Sequence, residues 1–181
     1  MQPFRHEKSI ISERRKRGLT EEKLCGKDEK RKYVEKYFDM VYKLALSQTK
    51  NREHADDVVQ EVFLRYLKTD KSFESGEHVK AWLIRVTLNC SKSFFTSAWM
   101  RKTEPLHEDI AFDTEEKHDV YYAALELPPK YKAVIHLFYY EELSVAEISK
   151  YLGIKESTVK SQLSRGRDML REKLKGGYGL V

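Results

Sequence analysis

Proline and glycine are scarce, with four and eight residues respectively among 181. That scarcity excludes collagen, Pro-rich linkers and turn-dense β-sandwiches. Long apolar runs are missing too. The longest, residues 133–140, is broken by His136 and falls far short of a membrane span. No apolar signal core stands near the N-terminus, so export by that route is not expected. Cysteine is limited to Cys25 and Cys90, far apart and outside any Cys-x-x-Cys pair. None of the six histidines stands at metal spacing from them. Free thiols in a cytoplasmic protein are therefore expected, with no metal site and no cofactor.

What is present points to a folded, helical chain. Leu, Ile, Val and Phe together supply 45 residues, enough to take the chain out of the disordered class. Basic residues outnumber acidic ones 34 to 29, a net charge of +5. So modest an excess says little by itself; its distribution matters more.

Residues 1–26 are basic and poorly patterned, with Arg14-Arg15-Lys16-Arg17 in one run. They read as a solvated, mobile extension. From about residue 27 a helical pattern begins, with Tyr33, Tyr37, Val41, Leu44 and Ala45 at three- and four-residue steps. Ala55, Val58, Val59, Val62, Phe63 and Tyr66 then fall on one face of a second helix. After a loop with Gly76, a third helix is predicted from about residue 79 towards 99. No stretch alternates with period two for long enough to make a sheet. The expected fold class is all-α: two small helical domains joined by a flexible acidic linker. Residues 27–102 form the first domain and 120–176 the second, with 177–181 frayed. The linker, 103–119, carries seven acidic residues against one lysine.

Near the C-terminus a helix-turn-helix can be read. Ser144 is a good N-cap, and Glu147 three residues on completes a capping box. Val145, Ile148 and Leu152 are predicted to face inward. Gly153 supplies the turn, because a residue without Cβ takes the left-handed conformation cheaply. A second helix starts near residue 155 or 156, with Val159, Leu163, Gly166 and Leu170 as its inner stripe. Ser157, Ser161, Ser164 and Arg165 point the other way, flanked by Lys160 and Arg167. Residues 155–175 hold seven basic and three acidic side chains. Short hydroxyls let a helix approach the major groove, and arginine can fork onto a guanine edge. A solvated amphipathic helix would look similar, but cap, turn and polar face agree in spacing.

The first domain offers two more polar faces. On the second helix Asp57, Gln60, Glu61 and Leu64 line up opposite the apolar stripe, an exposed leucine framed by acids and an amide. Periodicity alone leaves protein docking and plain surface open. On the third helix Arg85, Asn89, Lys92 and Thr96 form a narrow polar strip. Phe94, Phe95 and Trp99 lie near its end, before Arg101 and Lys102. Aromatic rings beside cations suit unpaired bases and their phosphates, although the rings could equally be core. Trp82 reads as core.

The stretch ADDVVQEVFL at 55–64 and AWLIRVTLN at 81–89 resemble the second conserved region of bacterial sigma-70 family factors. Leu127-Pro128-Pro129-Lys130-Tyr131, together with Thr158-Val159-Lys160-Ser161 and Arg165-Gly166-Arg167 in the helix-turn-helix, resembles the fourth. The order of the two regions, with only a short linker between them, is similar to the extracytoplasmic-function (ECF) group. That resemblance implies an all-α sigma factor, not an enzyme, that takes core RNA polymerase to −35 and −10 promoter elements and helps melt the DNA. Asp57, Gln60, Glu61 and Leu64 would dock on the β′ clamp helices, and the second domain on the β flap. The loop 73–77, with Phe73, and Asn89 would hold a flipped −10 base. Arg85 and Lys92 would neutralise phosphates, with Phe94 beside them. Ser157, Thr158, Lys160, Ser161, Ser164, Arg165 and Arg167 would meet the −35 element. Promoter DNA and core polymerase are the implied partners, and members of the group are often held by an anti-sigma factor.

Two other classes of function compete with this one. A regulator with a separate sensing domain should show a ligand pocket or phosphoacceptor where 27–102 stands. A nucleic-acid enzyme should show a phosphate-cradling glycine loop or a carboxylate cluster; Asp56 and Asp57 are adjacent and point to different faces of a helix.

Overall fold

A computed structural model describes residues 21–96 and 115–177, and side chains within 28–93 and 120–175. All regular structure among these residues is helical: α1 Glu21–Thr49, α2 Arg52–Lys68, α3 Gly76–Thr96, α4 Glu115–Leu125, α5 Pro129–Tyr139, α6 Val145–Leu152 and α7 Glu156–Gly177. The basic run at 14–17, most of the acidic linker and the last residues lie outside the description. By contacts the chain divides into Met1–Lys36 and Tyr37–Val181. In the first unit Arg31 Nε pairs with Glu35 Oε1 at 3.2 Å, one helical turn on.

Each helix end has a local cause. Asn51 caps α2, its side-chain oxygen accepting the His54 N–H at 3.0 Å. Lys50 takes φ 58 just before it, which turns the chain sharply between α1 and α2. Proline at the first position starts α5, where a missing N–H costs nothing. The capping box at α6 is present in full: Ser144 Oγ accepts the Glu147 N–H at 3.2 Å, and Glu147 Oε2 accepts the Ser144 N–H at 2.8 Å. Those hydrogen bonds hold the Glu147 carboxyl below its usual range. Gly153 closes α6 at φ 68, as the turn requires.

Two apolar centres result. In the first, Val41, Leu44 and Ala45 of α1, Val58, Val59 and Val62 of α2, and Val79, Leu83 and Ile84 of α3 are buried. Trp82 is only half-buried, where full burial is expected from the sequence. It sits in an aromatic triangle instead, 5.9 Å from both Tyr66 and Phe73. In the second centre, residues 131–137 of α5 are buried on every side. Val159, Leu163 and Gly166 of α7 pack on α5, and α6 contributes Ile148 and Tyr151. Tyr151 was not foreseen; Val145 and Leu152, expected inward, are half-buried.

The helix starts differ from the sequence pattern. α1 begins at Glu21 rather than near 27, and α4 takes up the last acidic residues of the linker from Glu115. Acidic side chains suit a helix N-terminus, where backbone N–H groups carry partial positive charge.

Candidate nucleic-acid interface

Three polar faces carry the residues that the sequence singles out. On α7 the inner stripe is Val159, Leu163 and Gly166, all buried, while Ser157, Thr158, Lys160, Ser161, Ser164, Arg165 and Arg167 are exposed. The face is firmly set because α7 lies so close to α5. A Cβ built on Gly166 would stand 3.0 Å from Ile135 Cγ1. Ser161 Oγ donates to the Ser157 carbonyl at 2.8 Å, and Arg167 Nε to the Leu163 carbonyl at 3.3 Å. Arg165 is tied to α5 as well: its guanidinium, beside the Tyr131 hydroxyl, holds that phenol below its ordinary pKa, with Lys130 adding to the effect. Lys130 Nζ sits 4.8 Å above the Tyr131 ring. Exposed Lys130 thus stands beside the basic face of α7, joined to it through buried Tyr131, a link that no helical periodicity within α7 could reveal.

On α2, Asp57, Gln60, Glu61 and Leu64 are exposed together, Leu64 at 48%. Leu67, one turn further on, is exposed as well. Both leucines are about half exposed, side by side on one face of the helix. Glu61 Oε1 accepts from Arg65 Nε at 2.6 Å within the helix. Both side chains are about half exposed, so the pair is cheap to break.

On α3, Arg85, Asn89 and Lys92 are exposed on one strip, and Arg85 Nε donates to the Ala81 carbonyl at 3.4 Å. Phe73, in the loop before α3, is half-buried against Tyr66 and Trp82. Phe94 belongs to the last turn of α3, but its side chain lies outside the described residues, as do Phe95 and Trp99. Arg101 and Lys102 fall outside as well. Cys90 is a buried free thiol. Among the described residues no group of His, Cys, Asp and Glu could hold a metal ion, and no helix is long and apolar enough to cross a membrane.

Comparison with known proteins assigns the chain to a family. Residues 33–101 match the family described as Sigma-70 region 2, and residues 117–170 match Sigma-70, region 4. The chain belongs to the sigma-70 family, in its ECF group. It is 31% identical over 162 residues to the ECF RNA polymerase sigma factor SigW of Bacillus subtilis, covering 78% of this chain and 87% of SigW. It is 32% identical over 154 residues to the ECF RNA polymerase sigma factor SigE of Mycolicibacterium smegmatis, covering 78% of this chain and 60% of that longer relative. Among solved structures, the sigma factor RpoE of Bartonella quintana, crystallised with the anti-sigma factor NepR, superposes with a TM-score of 0.66. Identity there is 25%, over 83% of this chain and 99% of RpoE.

This sigma factor is therefore an alternative initiation subunit that binds core RNA polymerase and promoter DNA and directs where transcription starts. The polymerase carries the chemistry; the sigma factor is not an enzyme. Its region 2 holds α2 and α3, and its region 4 holds α5, α6 and α7.

Proposed function

We propose a division of labour among the three faces. The α2 face of Asp57, Gln60, Glu61 and Leu64 docks on the β′ clamp helices of core polymerase. Apolar Leu64 supplies contact area, and the acids steer towards a basic partner. The α3 strip reads the −10 element. Asn89 offers both a donor and an acceptor to an extruded base, and Arg85 and Lys92 meet phosphates. Phe73 shapes the loop beside it, and Phe94 adds an aromatic ring to the same end. The α7 face of Ser157, Thr158, Lys160, Ser161, Ser164, Arg165 and Arg167 enters the major groove at −35. Region 4 also takes the β flap, and the acidic segment 103–119 links the two DNA-reading domains. Work with polymerase on DNA puts the protein in the cytoplasm. An anti-sigma factor is a fitting regulator, since RpoE of Bartonella quintana was crystallised with one.

The observation that carries this reading is the sorting of α7: every side chain named for the −35 contact is exposed, and Val159, Leu163 and Gly166 between them are buried. The −10 assignment is tested by Asn89→Ala in permanganate footprinting of the open complex. Loss of melted-base reactivity with unchanged affinity for core polymerase is the expected result. Equal loss of both would remove Asn89 from base recognition.

A further inference from the structure

Tyr131 stands in the first turn of α5 and is 7% exposed. Its side chain lies against α7: a Cβ built on Gly166 would stand 3.7 Å from Tyr131 Cβ, an ordinary contact distance. Tyr131 therefore meets α7 at the residue next to Arg165. Exposed Lys130 covers the ring, its Nζ 4.8 Å from the centroid. A ring this buried needs a partner for its hydroxyl. The Arg165 guanidinium is that partner, with a hydrogen bond that pulls the phenol below its ordinary pKa. The bond runs one way only: arginine has five N–H donors and no acceptor, so the tyrosine oxygen accepts.

Arg165 belongs to the exposed face of α7, with Ser161 and Ser164. A long side chain on such a face samples many rotamers, and docking on a base would remove that freedom. A hydrogen bond from a neighbouring helix removes part of it in advance, which is how preorganisation raises affinity. It does so without blocking recognition. A guanidinium has two forks, Nε with one Nη, and the two Nη together, which share no hydrogen. One bond to Tyr131 leaves at least one fork whole for the O6 and N7 of a guanine. Helical register within α7 sets the direction of Arg165 but not the angle of its planar end; a contact from α5 can.

We propose, on the −35 assignment of α7 given above, that Tyr131 is a positioning residue for promoter recognition: from α5 it holds the Arg165 guanidinium in one orientation, ready to fork onto a base. Tyr131 itself reads nothing. Its effect is on discrimination and passes through Arg165. Tyr131→Phe should therefore lower the preference for the best base about three- to tenfold, the contribution of one hydrogen bond, at the same −35 position that Arg165→Ala flattens. The salt dependence of binding should not change, because no phosphate contact is lost.

The experiment is a double-mutant cycle. Wild type, Tyr131→Phe, Arg165→Ala and the double variant are each assembled as full chains with core polymerase. Binding is selected from a duplex DNA library randomised across the −35 region of a promoter that the wild type transcribes. Tyr131→Phe should flatten the position that Arg165 reads, and in the double variant it should add nothing to Arg165→Ala. An unchanged preference in Tyr131→Phe, with Arg165→Ala flattened, would overturn the positioning role and leave the −35 reading standing. A loss shared by all sequences and repeated on the Arg165→Ala background would overturn it too, since a purely structural tyrosine would give that result. Failure of the −35 reading looks different: Arg165→Ala itself would then keep the wild-type preference. Should Tyr131→Phe not fold by circular dichroism, nitrogen-15 relaxation of the wild-type chain decides. Arg165 Nε–H should be as rigid as the α7 backbone, and a freely reorienting side chain would overturn the proposal.

Discussion

Gly166 and Ile135 hold α7 against α5 at a distance that leaves almost no room: a Cβ on Gly166 would lie 3.0 Å from Ile135 Cγ1 and 3.2 Å from Ile135 Cδ1. The exposed polar side of α7 is aimed by this contact. Gly166→Ala gains about 1 kcal/mol of helix propensity but must push Ile135 aside. A larger side chain cannot be absorbed: Gly166→Leu should lose about 1–3 kcal/mol, as overpacked cores do. Urea unfolding of both variants checks this. A Gly166→Leu chain as stable as wild type would mean that α7 can slide on α5.

Gly153 presents the opposite case. Its φ is 68, and nothing stands within 4 Å of an added Cβ. Strain without a clash is expected, so Gly153→Ala should cost about 1–2 kcal/mol, and Gly153→Asn less, because asparagine visits this region more readily. Equal costs for Ala and Asn in urea unfolding would contradict a purely conformational role.

Much of this was legible in the sequence, for reasons that differ along the chain. α2 and α3 follow from apolar side chains at helical spacing, since their buried faces must be continuous. The helix-turn-helix follows from local chemistry: Ser144 and Glu147 cap each other, and Gly153 turns. The exposed faces of α2 and α7 follow by subtraction from those patterns. Tyr151 and Lys132 could not be found this way. Their partners, Glu77 and Gln48, lie 74 and 84 residues away in sequence, and a lone lysine in an apolar run carries no sign of its acceptor. The start of α1 was missed because its first turns have helix-forming charges without an apolar stripe.

Lys132 makes stability depend on pH. Burial, with the Lys50 ammonium adding, brings its pKa from 10.5 down to about 7. Between those values the unfolded chain binds a proton that the folded chain does not, so stability rises with pH across that window. Below about 7 both states bind it, and the contribution is flat. Tyr121, pushed up to about 12 by burial, stays protonated throughout. The unfolding midpoint of the wild type should therefore climb between pH 7 and pH 9 more than that of Lys132→Met. Parallel profiles would mean that Lys132 keeps its ordinary titration.

Arg165 is the strongest candidate for base readout on α7, since its guanidinium is both exposed and steadied beside Tyr131. Arg165→Ala should cost about 1–3 kcal/mol at the preferred −35 sequence and flatten the preference at one position. Lys160→Ala should weaken all sequences alike and lower the salt dependence of binding. Selection from a randomised −35 library separates the two; an unchanged sequence preference for Arg165→Ala would remove it from readout.

The central claim is that regions 2 and 4 together give core polymerase a promoter preference that it lacks alone. Transcription in vitro with purified core polymerase on a promoter library measures it directly. Adding the chain should produce new transcripts whose start sites share sequence motifs about 10 and 35 base pairs upstream. The same set of transcripts with and without the chain would contradict the account.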